Sequence, residues 1–305
     1  MRRRQDRQRY RGMKILHLDS GREMRGGQWQ ALRLHRGLVE RGHESLLLAR
    51  RESPLLAEAM QAQLPCDVLH PLGLTKLSRG FDAVHAHDAR SHTLGALFAC
   101  VPLVVSRRVA FPAGDSALSR WKYRRARLFL AVSRHVAVQL KTAGVEESRI
   151  AVVYDGVAVP AETSGGNAIL VPCTRDPQKG MALAEEAARL AGVRVEMSAN
   201  LEADLPRARA LVYLSRSEGL GSGILLGMAY GVTVIASRVG GIPELIEDGV
   251  NGILVENEAE AVAAALSGID PKLGQAARAT VMERFTEQRM VEATLTAYER
   301  MLAND

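Results

Sequence analysis

The chain of 305 residues, 47% apolar and 24% charged, is long enough to bury two cores of ordinary domain size and too apolar to remain unfolded. Its best apolar run, Leu94 to Val105, is interrupted by Pro102 and falls short of the roughly 20 residues of a bilayer-spanning helix, so no transmembrane helix is expected. The formal charge of +6 is uneven, because residues 1–12 carry six arginines against Asp6 and leave only about +1 for the rest. No nucleic-acid partner is expected. Met13 is read as the native start, with residues 1–12 a disordered basic leader. Cys66, Cys100 and Cys173 have neither metal-ligand spacing nor an even count, and no signal peptide precedes them, which points to a reducing, cytoplasmic setting.

Strand and helix patterns alternate along the chain, which implies an α/β fold with parallel sheets. Lys14 to Asp19 reads as the first strand. A loop ending in Gly26-Gly27 leads to a helix from Gln28 to Arg41, with Ala31, Leu34 and Leu38 at helical spacing. Gly42-His43 ends it. Strands follow at 45–49, 66–69, 82–86, 103–106 and 129–132, then a helix from Arg134 and a strand at 149–153. Tyr154 to Val157 and the small-residue stretch 160–166 read as a linker, which divides the chain into domains at 13–158 and 159–305. The second domain should hold a strand at 168–171, a helix at 181–190, strands at 193–197 and 210–214, and helices at 258–266 and 288–302. Little chain separates Val195 from Ala210, so that crossover is expected to be lean.

The most informative stretch runs from Glu218 to Gly231 and on through Val232–Ser237 to Gly240-Gly-Ile-Pro-Glu244. It sets one acidic residue after an apolar strand, then a glycine-rich turn, a helix start, another strand and a second glycine turn. Unpaired N–H groups at a helix N-terminus attract phosphate, because the donors and the helix dipole point the same way. Two ordinary βα turns would give the same local pattern. No G-x-G-x-x-G follows the first strand, which argues against a dinucleotide-dependent dehydrogenase.

The strings EGLG, MAYG and VIASRVGGIPELIEDGVNGILV resemble the donor-site half of glycosyltransferase family 4, the retaining GT-B enzymes. FDAVHAHD (81–88), AVSRHV (131–136), RIAVVYDGV (149–157) and QKG (178–180) extend the resemblance over nearly all of 13–302. It implies two Rossmann-like domains facing each other across a cleft, with the last helix crossing back to the first domain through Val291, Leu295, Tyr298 and Leu302. The implied reaction moves a sugar from a nucleotide-sugar donor to a glycan or lipid-linked acceptor in envelope or polysaccharide synthesis, by front-face displacement with retention. No metal and no cofactor beyond the donor itself is implied.

Residue by residue, the resemblance makes Glu218 the acceptor of hydrogen bonds from the donor sugar and His87 a donor-facing catalytic group. Lys179, with Arg175 as partner, would grip the diphosphate. Gly219, Gly221 and Ser222 would present N–H groups to it, and Gly26 and Gly27 would floor the cleft. One departure stands out. The family's second glutamate, eight residues after the first, corresponds here to Leu226, so donor affinity should be reduced or the donor unusual. That departure also leaves open a non-catalytic GT-B homologue acting as a binding or regulatory subunit.

Two further patterns need weighing. His85, His87 and Asp88 suggest a metal, but residues i and i+2 on a strand require a third ligand supplied by the fold; no metal is assigned. The segment Arg107–Arg134 carries Arg107, Arg108, Arg120, Lys122, Arg124, Arg125, Arg127 and Arg134 with Phe111, Trp121, Tyr123 and Phe129 between them. It reads either as a solvated helix face or as a surface for an anionic lipid-linked acceptor on the inner face of the membrane.

Overall fold

The computed structural model describes residues 12–110, 116–174 and 176–303. The basic leader up to residue 11, Phe111 and Arg175 therefore lie outside the described residues. A first sheet of seven parallel strands has the order β3-β2-β1-β4-β5-β6-β7. Its strands are β1 (Lys14–Asp19), β2 (Glu44–Ala49), β3 (Cys66–Val68), β4 (Ala83–Ala86), β5 (Leu103–Arg107), β6 (Leu128–Ala131) and β7 (Ile150–Val152). A second parallel sheet runs β12-β11-β10-β8-β9, built from β8 (Ala168–Pro172), β9 (Glu196–Ser198), β10 (Ala208–Tyr213), β11 (Thr233–Ser237) and β12 (Ile253–Val255). The central strands are mostly buried because helices cover both faces, though β1 and β4 carry the buried His17, Asp19 and His85. Each sheet is thus a Rossmann-like α/β layer, and each reverses its strand order once, beside β1 and β4 in the first and beside β8 and β10 in the second. Ligands bind in α/β sheets beyond the carboxyl ends of strands at such reversals.

Three differences from the sequence pattern have local causes. The helix expected from Gln28 begins at Gly26, so both glycines lie in its first turn rather than in the preceding loop. The strand expected at 193–197 is shorter and later, because Gly192 caps the preceding helix in the left-handed region and the chain pairs only from Glu196. The helix Pro271–Arg284 escapes detection because its buried stripe consists of Gly274, Ala277 and Val281, too small to mark a periodicity. The lean crossover takes the form of a short helix, Leu201–Asp204, and one further helical turn, Leu205–Arg207.

The last helix, Glu287–Ala303, packs on the first sheet's side, where Met290, Val291, Tyr298 and Met301 join Ile15, Leu34 and Leu38 in one apolar cluster, with Leu295 and Leu302 at its margin. The outgoing and returning segments run side by side. Val157 N–H donates to the Phe285 carbonyl at 2.9 Å, and a Cβ on Gly156 would stand 2.7 Å from the Thr286 carbonyl oxygen. Gln30 fixes this crossing by exchanging two hydrogen bonds with the Gly156 backbone.

Candidate active site

The carboxyl ends of the two sheets face each other across a cavity of about 560 Å³, within the range of small-molecule sites. Gly26, Gly27 and His87 line it from the first sheet, and Lys179, Glu218, Gly219, Gly221 and Ser222 from the second. Every candidate named from the sequence thus lies on one cavity, apart from Arg175, which is outside the described residues.

Glu218 follows β10 and forms an ion pair with Lys179. Its carboxylate also accepts hydrogen bonds at 3.3 Å from the hydroxyls of Tyr213 and Ser215. Burial, and then the nearby Glu218 charge, push the Tyr213 hydroxyl well above its ordinary range, so it stays a donor. Two fixed hydroxyls and one ammonium therefore aim Glu218 into the cleft. After it the backbone turns through Gly221, whose φ of 109° is accessible to glycine and strained for other residues, and the first turn of the helix Ser222–Ala229 lines the cavity through Ser222 and Gly223.

The turn is held from both sides. Gly219 presses on the first domain: a Cβ there would lie 2.1 Å from the Arg108 carbonyl oxygen. The Gly219 carbonyl accepts from Ser133 Oγ at 2.7 Å, and the Gly241 N–H donates to the Glu218 carbonyl. Glu244, at the end of the second glycine turn, accepts from the backbone N–H groups of Arg134 and His135, both at 2.8 Å, and from Tyr154 Oη at 2.9 Å. A carboxylate of the second domain thus caps a helix N-terminus of the first, a favourable pairing of charge and dipole. Across the cleft, a Cβ on Gly26 would meet Ser222 Oγ at 2.8 Å. That proximity gives one reason for glycine there in addition to any approach of ligand.

The first domain contributes a polar network that sequence patterns did not single out. Arg108 donates to Asp155 at 3.3 Å, and the other oxygen of Asp155 accepts from Ser222 Oγ at 3.2 Å. Burial raises the Asp155 pKa, and Arg108 opposes that shift. Arg108 also lies 3.4 Å from His87 Nδ1, while His87 Nε2 lies 2.9 Å from His17 Nδ1. A guanidinium only donates, so His87 accepts at Nδ1 and passes its Nε2 proton toward His17. Both ring nitrogens of His87 consequently have protein partners, and a sugar must displace Arg108 to be held by this ring. Asp155 lay in a segment read as linker, and Arg108 in one read as surface.

His17 supplies the third imidazole that a metal reading of His85 and His87 requires, with the three sets of ligand atoms within 4.8 Å. Five of the six ring nitrogens nevertheless have partners, two of them in the contact between His17 and His87, and His17 Nε2 alone is buried without one. His85 meets Ser106 Oγ at 2.9 Å and Tyr298 Oη at 2.6 Å, and burial together with Arg108 lowers its pKa well below the ordinary value. Asp88 is no ligand either, since it caps the helix Ala89–Phe98 and binds Ser20 and Ser91. The chemistry of the donor set therefore favours a neutral hydrogen-bonded cluster.

The segment Arg107–Arg134 is not one surface. Phe129 is fully buried and stacks on Tyr123 with ring centroids 5.2 Å apart, whereas Trp121 is exposed. Arg107, Arg108, Lys122 and Tyr123 line the cleft, and Arg125 donates to the Ala96 carbonyl. Leu226 lies half-buried against the core, off the cavity wall. Among the described residues no helix is long and apolar enough to cross a membrane.

Two Rossmann-like parallel sheets facing each other across a cleft define the GT-B class. The sequence patterns of Glycosyltransferase Family 4 and of Glycosyl transferases group 1 match residues 24–159 and 174–269. The chain belongs to this glycosyltransferase family. It is 34% identical over 102 residues to the N-acetyl-alpha-D-glucosaminyl L-malate synthase of Bacillus anthracis, covering 31% of this chain and 27% of that one. It is 37% identical over 112 residues to the alpha-maltose-1-phosphate synthase of Mycolicibacterium smegmatis, covering 32% of this chain and 29% of that one. The matches thus span less than a third of these curated relatives. The crystal structure of Anabaena HepE in complex with UDP and glucose superposes with a TM-score of 0.81 at 19% identity, over 94% of this chain and all of that one.

Proposed function

We propose that the protein transfers a sugar from a nucleotide-sugar donor to an acceptor hydroxyl, with the diphosphate on Lys179 and the Gly219–Ser222 turn and the sugar on Glu218. The observation that carries this reading is the convergence of those groups, from separate loops, on one cavity opposite His87 and Arg108. The acceptor oxygen bonds to the anomeric carbon, the bond from that carbon to the diphosphate breaks, and the leaving phosphate takes the acceptor's proton. Retention follows if both events occur on one face. Lys179 and the backbone N–H groups neutralise the leaving charge, so the reaction proceeds without a metal. The basic wall of Arg107, Arg108 and Lys122 suits an anionic acceptor, and the names of the two relatives above contain malate and a sugar phosphate. A glycan or lipid-linked acceptor of envelope or polysaccharide synthesis, met at a membrane surface, fits the same wall.

Calorimetry with UDP, and release of UDP from UDP-sugars with and without a chelator, test this. Lys179→Ala should weaken UDP binding at least tenfold, since charge-assisted hydrogen bonds contribute about 1.5–3 kcal/mol. Glu218→Ala should abolish turnover with a smaller effect on UDP itself. Leu226 favours a second reading, a non-catalytic homologue that binds without turnover. UDP binding by the native chain without sugar release from any nucleotide sugar would establish it.

A further inference from the structure

A second cavity, of about 310 Å³, adjoins the first and is lined by Arg50, Arg51, His70 and Arg90, with Leu69 and Leu94 on its apolar wall. It lies beyond the carboxyl ends of β2 and β3. Only a thin partition divides it from the cleft: Asp88 and Ala89 line the cleft, while the next residue, Arg90, and Ser20, which binds the Asp88 carboxylate, line the second cavity. None of the three guanidinium groups has an ion pair or side-chain hydrogen bond among the described residues, and the one carboxylate on the same wall, Glu52, does not bind them.

Three guanidinium groups gathered in a concavity against a single carboxylate leave a net positive charge that an anion would offset. Arginine suits phosphate in particular, because its planar fork donates two parallel hydrogen bonds to adjacent oxygens. The volume exceeds what a bare phosphate needs, and Val68, Leu69, Pro71 and Leu94 give the cavity an apolar wall beside the arginines. The occupant is therefore a phosphate joined to a larger body.

We propose that this cavity holds the phosphate-bearing end of the acceptor while its hydroxyl end enters the cleft past Asp88. The assignment rests on the glycosyl-transfer reading for what occupies the cleft. A soluble polyol or sugar phosphate and a phosphate-linked lipid offer the same headgroup chemistry, and the experiment separates them.

Glycerol 3-phosphate would be titrated into the full chain with and without saturating UDP, and the chain sedimented with phosphatidylcholine vesicles with and without phosphatidic acid. The Arg50→Gln/Arg90→Gln double variant should weaken the responding probe at least tenfold and leave UDP affinity unchanged, whereas Lys179→Ala should leave probe binding intact. Arg51→Gln gives an independent, exposed substitution with a smaller loss in the same direction. A response to glycerol 3-phosphate assigns a soluble acceptor, and a response to acidic vesicles alone assigns a lipid. The proposal is overturned if neither probe binds the native chain, or if binding disappears with UDP or Lys179→Ala and persists in the double variant. Failure of the glycosyl-transfer reading would show separately, as absence of UDP binding by the native chain.

Discussion

Gly219→Ala tests whether the donor turn and the domain closure are one structure. The new Cβ would stand 2.1 Å from the Arg108 carbonyl oxygen, whereas ordinary contact begins near 3.4 Å, so the two backbones must separate by about 1.3 Å. Retreat is blocked, since Gly241 packs behind the Gly219 carbonyl and Gly240 behind that of Glu218, leaving about 2 Å to any added Cβ. The first domain must therefore move away, taking Arg108 with it and disturbing Asp155 and Ser222. Overpacking of this kind costs about 1–3 kcal/mol, and backbone contacts place it toward the upper end. That corresponds to a fall in Tm of roughly 2–10 °C for domains of this size. UDP affinity should fall at least tenfold. Gly27→Ala is the internal control, because its Cβ would find only Arg108 Cδ at 3.8 Å. It should melt like the native chain, and any loss of UDP-sugar affinity in it would report ligand approaching that backbone. Scanning calorimetry and UDP titration of the three proteins decide the matter. A Gly219→Ala protein with native Tm and native UDP affinity would refute the argument.

Leu226→Glu should tighten UDP binding by about tenfold, because the longer carboxylate would extend past Ser222 and Gly223, four and three positions earlier on the same helix face, toward the cavity that Leu226 itself, packed on the core, does not line; unchanged affinity would refute it. Burial lowers the pKa values of His17, His35, His85, His87 and His92, with His35 near 4 and His92 near 3. The unfolded chain thus binds more protons below pH 6.5, and stability should drop by about 1 kcal/mol per histidine between pH 6.5 and 5.5. Asp19, raised to about 6, and Asp155, also raised, both chiefly by burial, oppose this in part; urea unfolding that shows equal or greater stability at pH 5.5 would contradict the sign.

What was legible in the sequence shares one property, a chemistry expressed in consecutive residues. Glu218, the glycine turn after it and Gln178-Lys179-Gly180 could be found because each lies in a short consecutive string that resembles the family's, with glycine where φ is positive at Gly180 and Gly221. Alternation of apolar strands and amphipathic helices likewise disclosed the two α/β layers. Arg108, Asp155 and His17 were not legible, because nothing in their immediate neighbours distinguishes them and their partners lie on other strands. Asp155 is separated from Ser222 by 67 positions and His17 from His87 by 70. The same holds for Glu244, whose carboxylate caps a helix 109 and 110 positions earlier.

This division has a physical basis that bears on how the site works. The loops of Lys179 and Glu218 sit on a single domain and are shaped by local turns, although Ser133 and the Arg108 backbone also hold Gly219 from the first domain. The groups hidden from sequence are those that join the domains or lie buried beneath the cleft: Ser133 with Gly219, Glu244 with Arg134 and His135, and Asp155 between Arg108 and Ser222. Asp155 is the telling case. Its carboxylate is buried and raised in pKa by desolvation, and only Arg108, Ser222 and more distant Arg33 offset that cost. Separation of the domains would take Ser222 away and admit water to the same carboxylate. The buried carboxylate therefore makes closure depend on Arg108 and Ser222 both being in place, next to the ring of His87 and the first turn of the helix Ser222–Ala229.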